Sequence, residues 1–131
     1  MITKVVGMMS KTNDLRLLIQ SKLKSACKDV YYENAKDDAM YPHCVFSFGN
    51  ILNDDLHRSD LTVEIDIWDK SMSASAIEDL CDDIEAMFNA SNLPQETILP
   101  TFFLVNRVAV PDEDKEIRHR LIKVLVQNYE R

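Results

Sequence analysis

"DLTVEIDIW", residues 60–68, decides the fold. Leu61, Val63, Ile65 and Ile67 alternate with Thr62, Glu64, Asp66 and Trp68. Successive strand residues point to opposite faces, so the spacing predicts a strand with one apolar side and one solvated or partner-facing side. The buried side needs a cover, and the flanking sequence supplies it.

A helix is expected next, over residues 72–89. Ile77, Leu80, Cys81, Ile84, Met87 and Phe88 recur at three-four spacing and make one stripe, while Glu78, Asp79, Asp82, Asp83 and Glu85 lie off it. Ser71 or Ser73 is the expected cap. Burying the stripe is worth on the order of ten kcal/mol before entropy is subtracted. The same spacing, carried by Leu15, Leu18, Ile19, Leu23, Ala26, Cys27 and Val30, predicts an earlier helix over residues 12–30. Thr12, Asn13 or Asp14 would cap it, and Lys22, Lys24 and Lys28 suit the cation-favouring half.

Strands are expected at 44–49, 101–110 and 117–127, the last two joined by "PDEDKE", an acidic turn that starts with proline. The order helix, strand, strand, helix, strand, strand predicts an α+β fold. Two helices would pack on one face of a mainly antiparallel sheet of about four strands. With 131 residues, the whole of 1–131 reads as a single domain, and 1–11 as a flexible N-terminal arm.

The adjacent His43 and Cys44 invite a catalytic or metal-binding reading. Pro42 disfavours helical geometry in Tyr41, so a strand begins just after it. His43 and Cys44 then face opposite sides and cannot serve one metal or act as nucleophile and base together. No C-x2-C spacing is present for zinc. Cys27 and Cys81 lie in helix stripes, where a thiol packs as a small hydrophobe. Three cysteines in a reducing compartment imply no structural disulfide. Gly7 and Gly49 are the only glycines, too few for a phosphate-cradling or dinucleotide loop. Glu64 and Asp66 share a strand face, but as a solvated pair. The sequence therefore predicts no catalytic, cofactor-binding or metal-binding residues, and no enzyme.

Surfaces remain. Trp68 closes the outward face of its strand, and tryptophan is enriched at interface hot spots. Arg107, Arg118 and Arg120 could meet Glu64 and Asp66, either across paired strands or between subunits. These six residues are the candidate subunit interface. The net charge of -7 is spread along the chain and gives no basis for binding nucleic acid through phosphate contacts. No apolar run reaches the ~20 residues of a membrane helix, and the start lacks a signal-peptide pattern, so a cytoplasmic setting is expected.

The ordered pattern "YPHCVFSFGNI", "NDDLHRSD", "LTVEIDIWDKS", "MSASAIEDLCDDIEAMF" and "IRHRLIKVLVQ" resembles a known family over about residues 13–128. The family is the tail-terminator and tail-completion proteins of long-tailed bacteriophages, also called head–tail joining or minor tail proteins. The proline–strand–glycine entry and the V-x-I-x-I-W strand running into a helix carry most of the likeness. Cys44, Phe46 and the acidic second helix depart from it. The resemblance implies a virion protein that assembles with itself as a ring, usually a hexamer, on the tail tube protein. Such a ring ends tube growth and meets the head–tail connector protein. DNA would pass through its lumen without specific binding. Assembly would take place in the host cytoplasm, and the finished ring would sit at the head-proximal end of the tail, with no membrane, cofactor or catalytic residue. The alternatives are a small adaptor domain that binds a protein through its sheet, and a hydrolase using Cys44 with His57 or His119.

Overall fold

The computed structural model describes residues 11–53, 57–70, 73–89 and 91–131. Its elements run α1 (Lys11–Lys24), β1 (Asp29–Tyr32), β2 (His43–Asn53), β3 (Arg58–Lys70), α2 (Ser75–Phe88), β4 (Ser91–Asn92), β5 (Ile98–Val110) and β6 (Ile117–Glu130). One sheet contains all the strands, in the order β1-β2-β3-β6-β5-β4. The expected arm at 1–11 lies outside the described residues apart from Lys11, which opens α1.

The α+β architecture stands as expected, with both helices against one face. The sheet is larger than four strands and is mixed. Five strands have four or more residues, and β4 adds two more positions on one edge. β1 joins the other edge parallel to β2, pairing Asp29 with His43 through Tyr32 with Phe46, while the remaining pairs are antiparallel.

β1 comes out of the segment expected to end α1. The helix stops at Lys24, where Ser25 N and Ala26 N turn back to the Lys22 and Leu23 carbonyls at 3.1 and 3.0 Å. Asp29-Val30-Tyr31-Tyr32 is β-branched and aromatic, and it pairs better than it coils. Val30 points into the core from the strand, as it would have done from a longer helix.

α2 starts at Ser75 rather than in a serine-capped turn. Its first flanking residue is Ala74, with no side-chain cap bond. The Ser73 hydroxyl instead meets that of Ser75 at 2.9 Å, and Ser71 lies outside the described residues. The β5–β6 turn behaves as its composition demands: Asp112 Oδ1 accepts from Asp114 N, and Asp114 Oδ1 from Glu116 N, both at 2.9 Å.

The core lies between the helices and one sheet face. Leu15, Ile19 and Leu23 of α1 and Ile77, Cys81, Ile84 and Phe88 of α2 cover Leu61, Val63, Ile65 and Ile67 of β3 and Ile122, Val124 and Val126 of β6. The strict alternation of buried and half-buried residues along β3 matches the expectation from its sequence.

All three cysteines are free and buried. The Cys27 thiol reaches the Pro42 carbonyl at 3.4 Å. Its hydrogen bond with Cys44, together with burial, raises the Cys44 pKa, and burial pushes Cys81 up to about 11. Thiolates are the reactive form. The same bond lowers the Cys27 pKa, so its protection rests on burial alone. With all three thiols buried, we expect them to resist alkylation at neutral pH until denaturant is added; rapid labelling of the native protein would mean that the core between helices and sheet is not packed.

Candidate functional site: the open sheet face

Side chains of even number on β3 and odd number on β6 point away from the helices. No described element covers this face. The registers set Thr62 opposite Leu125, Glu64 opposite Lys123, Asp66 opposite Leu121 and Trp68 opposite His119. β5 continues it with Leu99 opposite Tyr129 and Phe103 opposite Leu125. Leu99 and Phe103 are each 40% exposed, Leu125 39% and Tyr129 38%, so the β5–β6 half of the face offers apolar surface to solvent. Apolar surface grouped in this way marks interaction surfaces more often than catalytic ones.

The other half is polar and aromatic. Trp68 is stacked between two histidine rings, His43 at 5.2 Å and His119 at 4.3 Å, with interplanar angles of 23° and 19°. His119 Nε2 meets Asp66 Oδ1 at 2.6 Å, and His43 Nδ1 lies 3.2 Å from the Met40 carbonyl. Burial lowers the His43 pKa, against the opposing pull of that carbonyl. Cys44 points into the core while His43 points to this open side, as the sequence spacing requires. The residues from Glu33 to Tyr41 fold over this end and form a cleft of about 400 Å³ with Trp68, Asp112 and Ile117. The cleft is broad, and its lining is about equally polar and apolar. Among the described residues, no group of three or more His, Cys, Asp or Glu side chains is arranged to hold a metal ion.

The registers decide the within-chain alternative for the six candidate residues. Glu64 faces Lys123, with Nζ at 3.9 Å, and Asp66 binds His119, so neither pairs with an arginine. The arginines lie on the helix side of the sheet. Arg107 Nε and Nη2 donate to Glu85 and Asp82 at 2.7 and 2.6 Å, and Nη1 reaches Glu78 at 3.4 Å. Arg120 Nε also donates to Glu78, at 3.1 Å. Arg118 stands opposite Asp69 in the β3–β6 pair, and its Nε has no partner among the described residues.

Sequence reasoning missed this clasp between α2 and the sheet. The acidic flank of α2 holds Arg107, so it is not simply a solvated face. Glu78, Asp82 and Glu85 recur at four and three residues, which puts them on one flank of a helix. A readable signal also existed for Arg118 and Arg120. They share even parity with the buried Ile122, Val124 and Val126, whereas the open side of β3 is where Glu64 and Asp66 point. Arg107 carried no such signal. A bulge between Leu104 and Asn106 shifts the register and turns Arg107 to the helix side.

Among the described residues, no helix is long and apolar enough to cross a membrane. No family model and no curated protein sequence matches the chain. Among solved structures, a chain from the virion of a native gene transfer agent (GTA) particle shares the fold, with a TM-score of 0.56 at 11% sequence identity, over 93% of this chain and 92% of that one.

Proposed function

We propose that this protein is a structural virion subunit that forms a ring on a phage-type tail tube, ends tube growth and presents the head–tail joining surface. The observation that carries the reading is the likeness, along almost the full length of both chains, to a chain of a gene transfer agent virion. A protein of that kind works through surfaces. The open face supplies one, with an apolar half beside a charged and aromatic half. In this reading the protein is not an enzyme and takes no cofactor. Its partners are its own copies, the tube protein and the connector protein. The ring is a hexamer, assembled in the host cytoplasm and retained at the head-proximal end of the tail.

Glu64, Asp66 and Trp68 are proposed to lie at one contact of the ring and Arg107, Arg118 and Arg120 at another. Ring closure needs two different patches on each subunit, so their placement on opposite sheet faces is compatible with it. The net charge of -7 suits a passage through which DNA slides without sticking, because carboxylates repel phosphate.

Negative-stain imaging and sedimentation of the purified protein, alone and with tail tubes, test the reading. Closed rings are expected, at least on tube ends. A protein that stays monomeric in both samples overturns the ring, and the adaptor reading takes its place.

A further inference from the structure

The two edges of the sheet are incompletely paired. β1 covers β2 only from His43 to Phe46, and β4 covers β5 only at Thr101 and Phe102. Among the described residues, Ser47–Asn53 and Phe103–Val110 have no strand on their outer side. Neither stretch, "SFGNILN" or "FLVNRVAV", contains a lysine or proline. Those residues are what commonly blunt an exposed edge; here the edge devices are a bulge in each stretch and the charge of Arg107, which Glu85 and Asp82 hold on the helix side. Ile51, Leu52, Val105 and Val108 are exposed along them.

The hydrogen bonds fix which backbone groups point outward. The carbonyls of Ile98 and Pro100 accept from Gln95 and Leu93, so on β5 the residues of that parity face out. Within an antiparallel strand, the N–H and C=O of one residue point to the same side, and successive residues alternate. Carried through the register and its bulge, the outward residues beyond β4 are Leu104, Arg107 and Ala109. On β2, the Phe46 carbonyl accepts from Glu33 on the outer side. The same reasoning makes Phe48, Ile51 and Asn53 the outward residues beyond β1.

The two sets match. Each has three residues over a six-residue span, with one bulge inside it: 104–109 on β5 and 48–53 on β2. β2 and β5 run in opposite directions, because three antiparallel pairings separate them. A second copy with its helices on the same side therefore brings its β2 antiparallel to β5 of the first. Leu104 then meets Asn53, Arg107 meets Ile51 and Ala109 meets Phe48. Phe48, Ile51 and Asn53 lie level with Val63, Leu61 and Ser59 of β3, and Leu104, Arg107 and Ala109 with Val63, Ile65 and Ile67. Neighbouring copies are thus staggered by about four residues, or ~14 Å along the strands.

We propose that copies of this chain join head to tail through main-chain pairing of the outer edge of β5 with the outer edge of β2 of the next copy. Three rungs give roughly six hydrogen bonds. The contact uses two different edges, so it propagates and can close only as a ring. The inference deepens the ring reading and rests on it, but it puts the junction between copies at the two sheet edges, in place of the two face patches named above.

Proline at an outward position deletes an edge donor without removing a bond inside the sheet. Ala109→Pro blocks the β5 edge and leaves β2 free; Ile51→Pro does the reverse. Wild-type protein is expected to form rings by sedimentation velocity, and each variant alone to remain monomeric. An equimolar mixture of the two should give dimers and stop there, because it can form one junction only. Ala109→Lys and Ile51→Lys, which place a charge on each edge, should behave in the same way. Unchanged melting temperatures and circular dichroism spectra would show that the variants fold. Rings from every folded variant would overturn the edge contact and leave the ring reading standing. Dimers of Ile51→Pro alone would show β5 pairing with itself, and dimers of Ala109→Pro alone would show β2 doing so; either result overturns the head-to-tail arrangement. A monomeric wild type, alone and on tube ends, sinks the ring and the edge contact together.

Discussion

Phe88→Ala is expected to lower stability by about 3–5 kcal/mol, the usual cost of emptying a large aromatic site in a packed core. Phe88 is 1% exposed, and its ring lies 5.0 Å from that of Phe102 at an angle of 55°. Ile19, Val63, Ile65 and Val124 close around the pair, leaving no room for a water molecule. The residues around the site come from α1, α2 and three strands, so they cannot collapse into the space without moving whole elements. The surrounding side chains are apolar, so water entering the cavity would find no hydrogen-bond partners and the lost contacts would not be replaced. For a domain of this size the loss corresponds to a fall of roughly 10–20 °C in melting temperature. Thermal unfolding followed by circular dichroism measures it. An unchanged midpoint would mean that α2 does not pack on the sheet through this stripe.

Trp68→Ala is expected to cost about 2–4 kcal/mol, somewhat less than a fully buried aromatic because the indole is only partly covered. Its loss frees both histidine rings from the stack. The pH dependence separates this role from simple packing. Burial holds the His43 pKa below its ordinary value, so the unfolded chain binds the proton more readily than the folded one. Stability from this group is complete above the ordinary histidine pKa of about 6.5 and is lost as pH falls from there through the depressed folded value. Removing Trp68 exposes His43 to water, so the variant should lose less stability than wild type between neutral and mildly acidic pH. Denaturant titrations at a series of pH values show this directly. Parallel stability–pH curves for the two proteins would mean that Trp68 does not bury His43.

Much of this fold could be read in advance because period-two and three-four patterns report which side of an element is buried. β3 shows this most clearly, and its open side is the face expected from residues 60–68. The period-two pattern marks the four long strands but ends short of their full lengths. Leu99 and Tyr129 pair at the outer ends of β5 and β6, where proline and polar residues blur the pattern. β1 was hidden because Val30 satisfies the helix stripe and the strand equally well. Trp68 was placed on the correct strand face, but its two histidine neighbours come from β2 and β6, and cross-strand partners depend on register. Arg107 lay beyond sequence reasoning for a sharper reason. One extra residue in β5 reverses the facing of everything after it, and nothing in "FFLVNRV" announces that residue.

The strand order has a consequence for how the chain reaches this structure. The middle of the sheet is the β3–β6 pair, whose nearest partners, Lys70 and Ile117, are 47 residues apart (117 minus 70). The flanking pairs β2–β3 and β5–β6 are hairpins that close short loops, so they can form early and reversibly. Neither hairpin can pair the inner edge of its β3 or β6 strand until the other arrives, and that meeting carries the entropy of closing the long segment that contains α2. Folding should therefore be limited by the docking of two preformed hairpins, and should be slow for a chain of this length. During synthesis the first half waits with one edge of β3 unpaired until β6 has emerged. In that interval an exposed, unpaired β3 is the segment at greatest risk of pairing with the wrong chain.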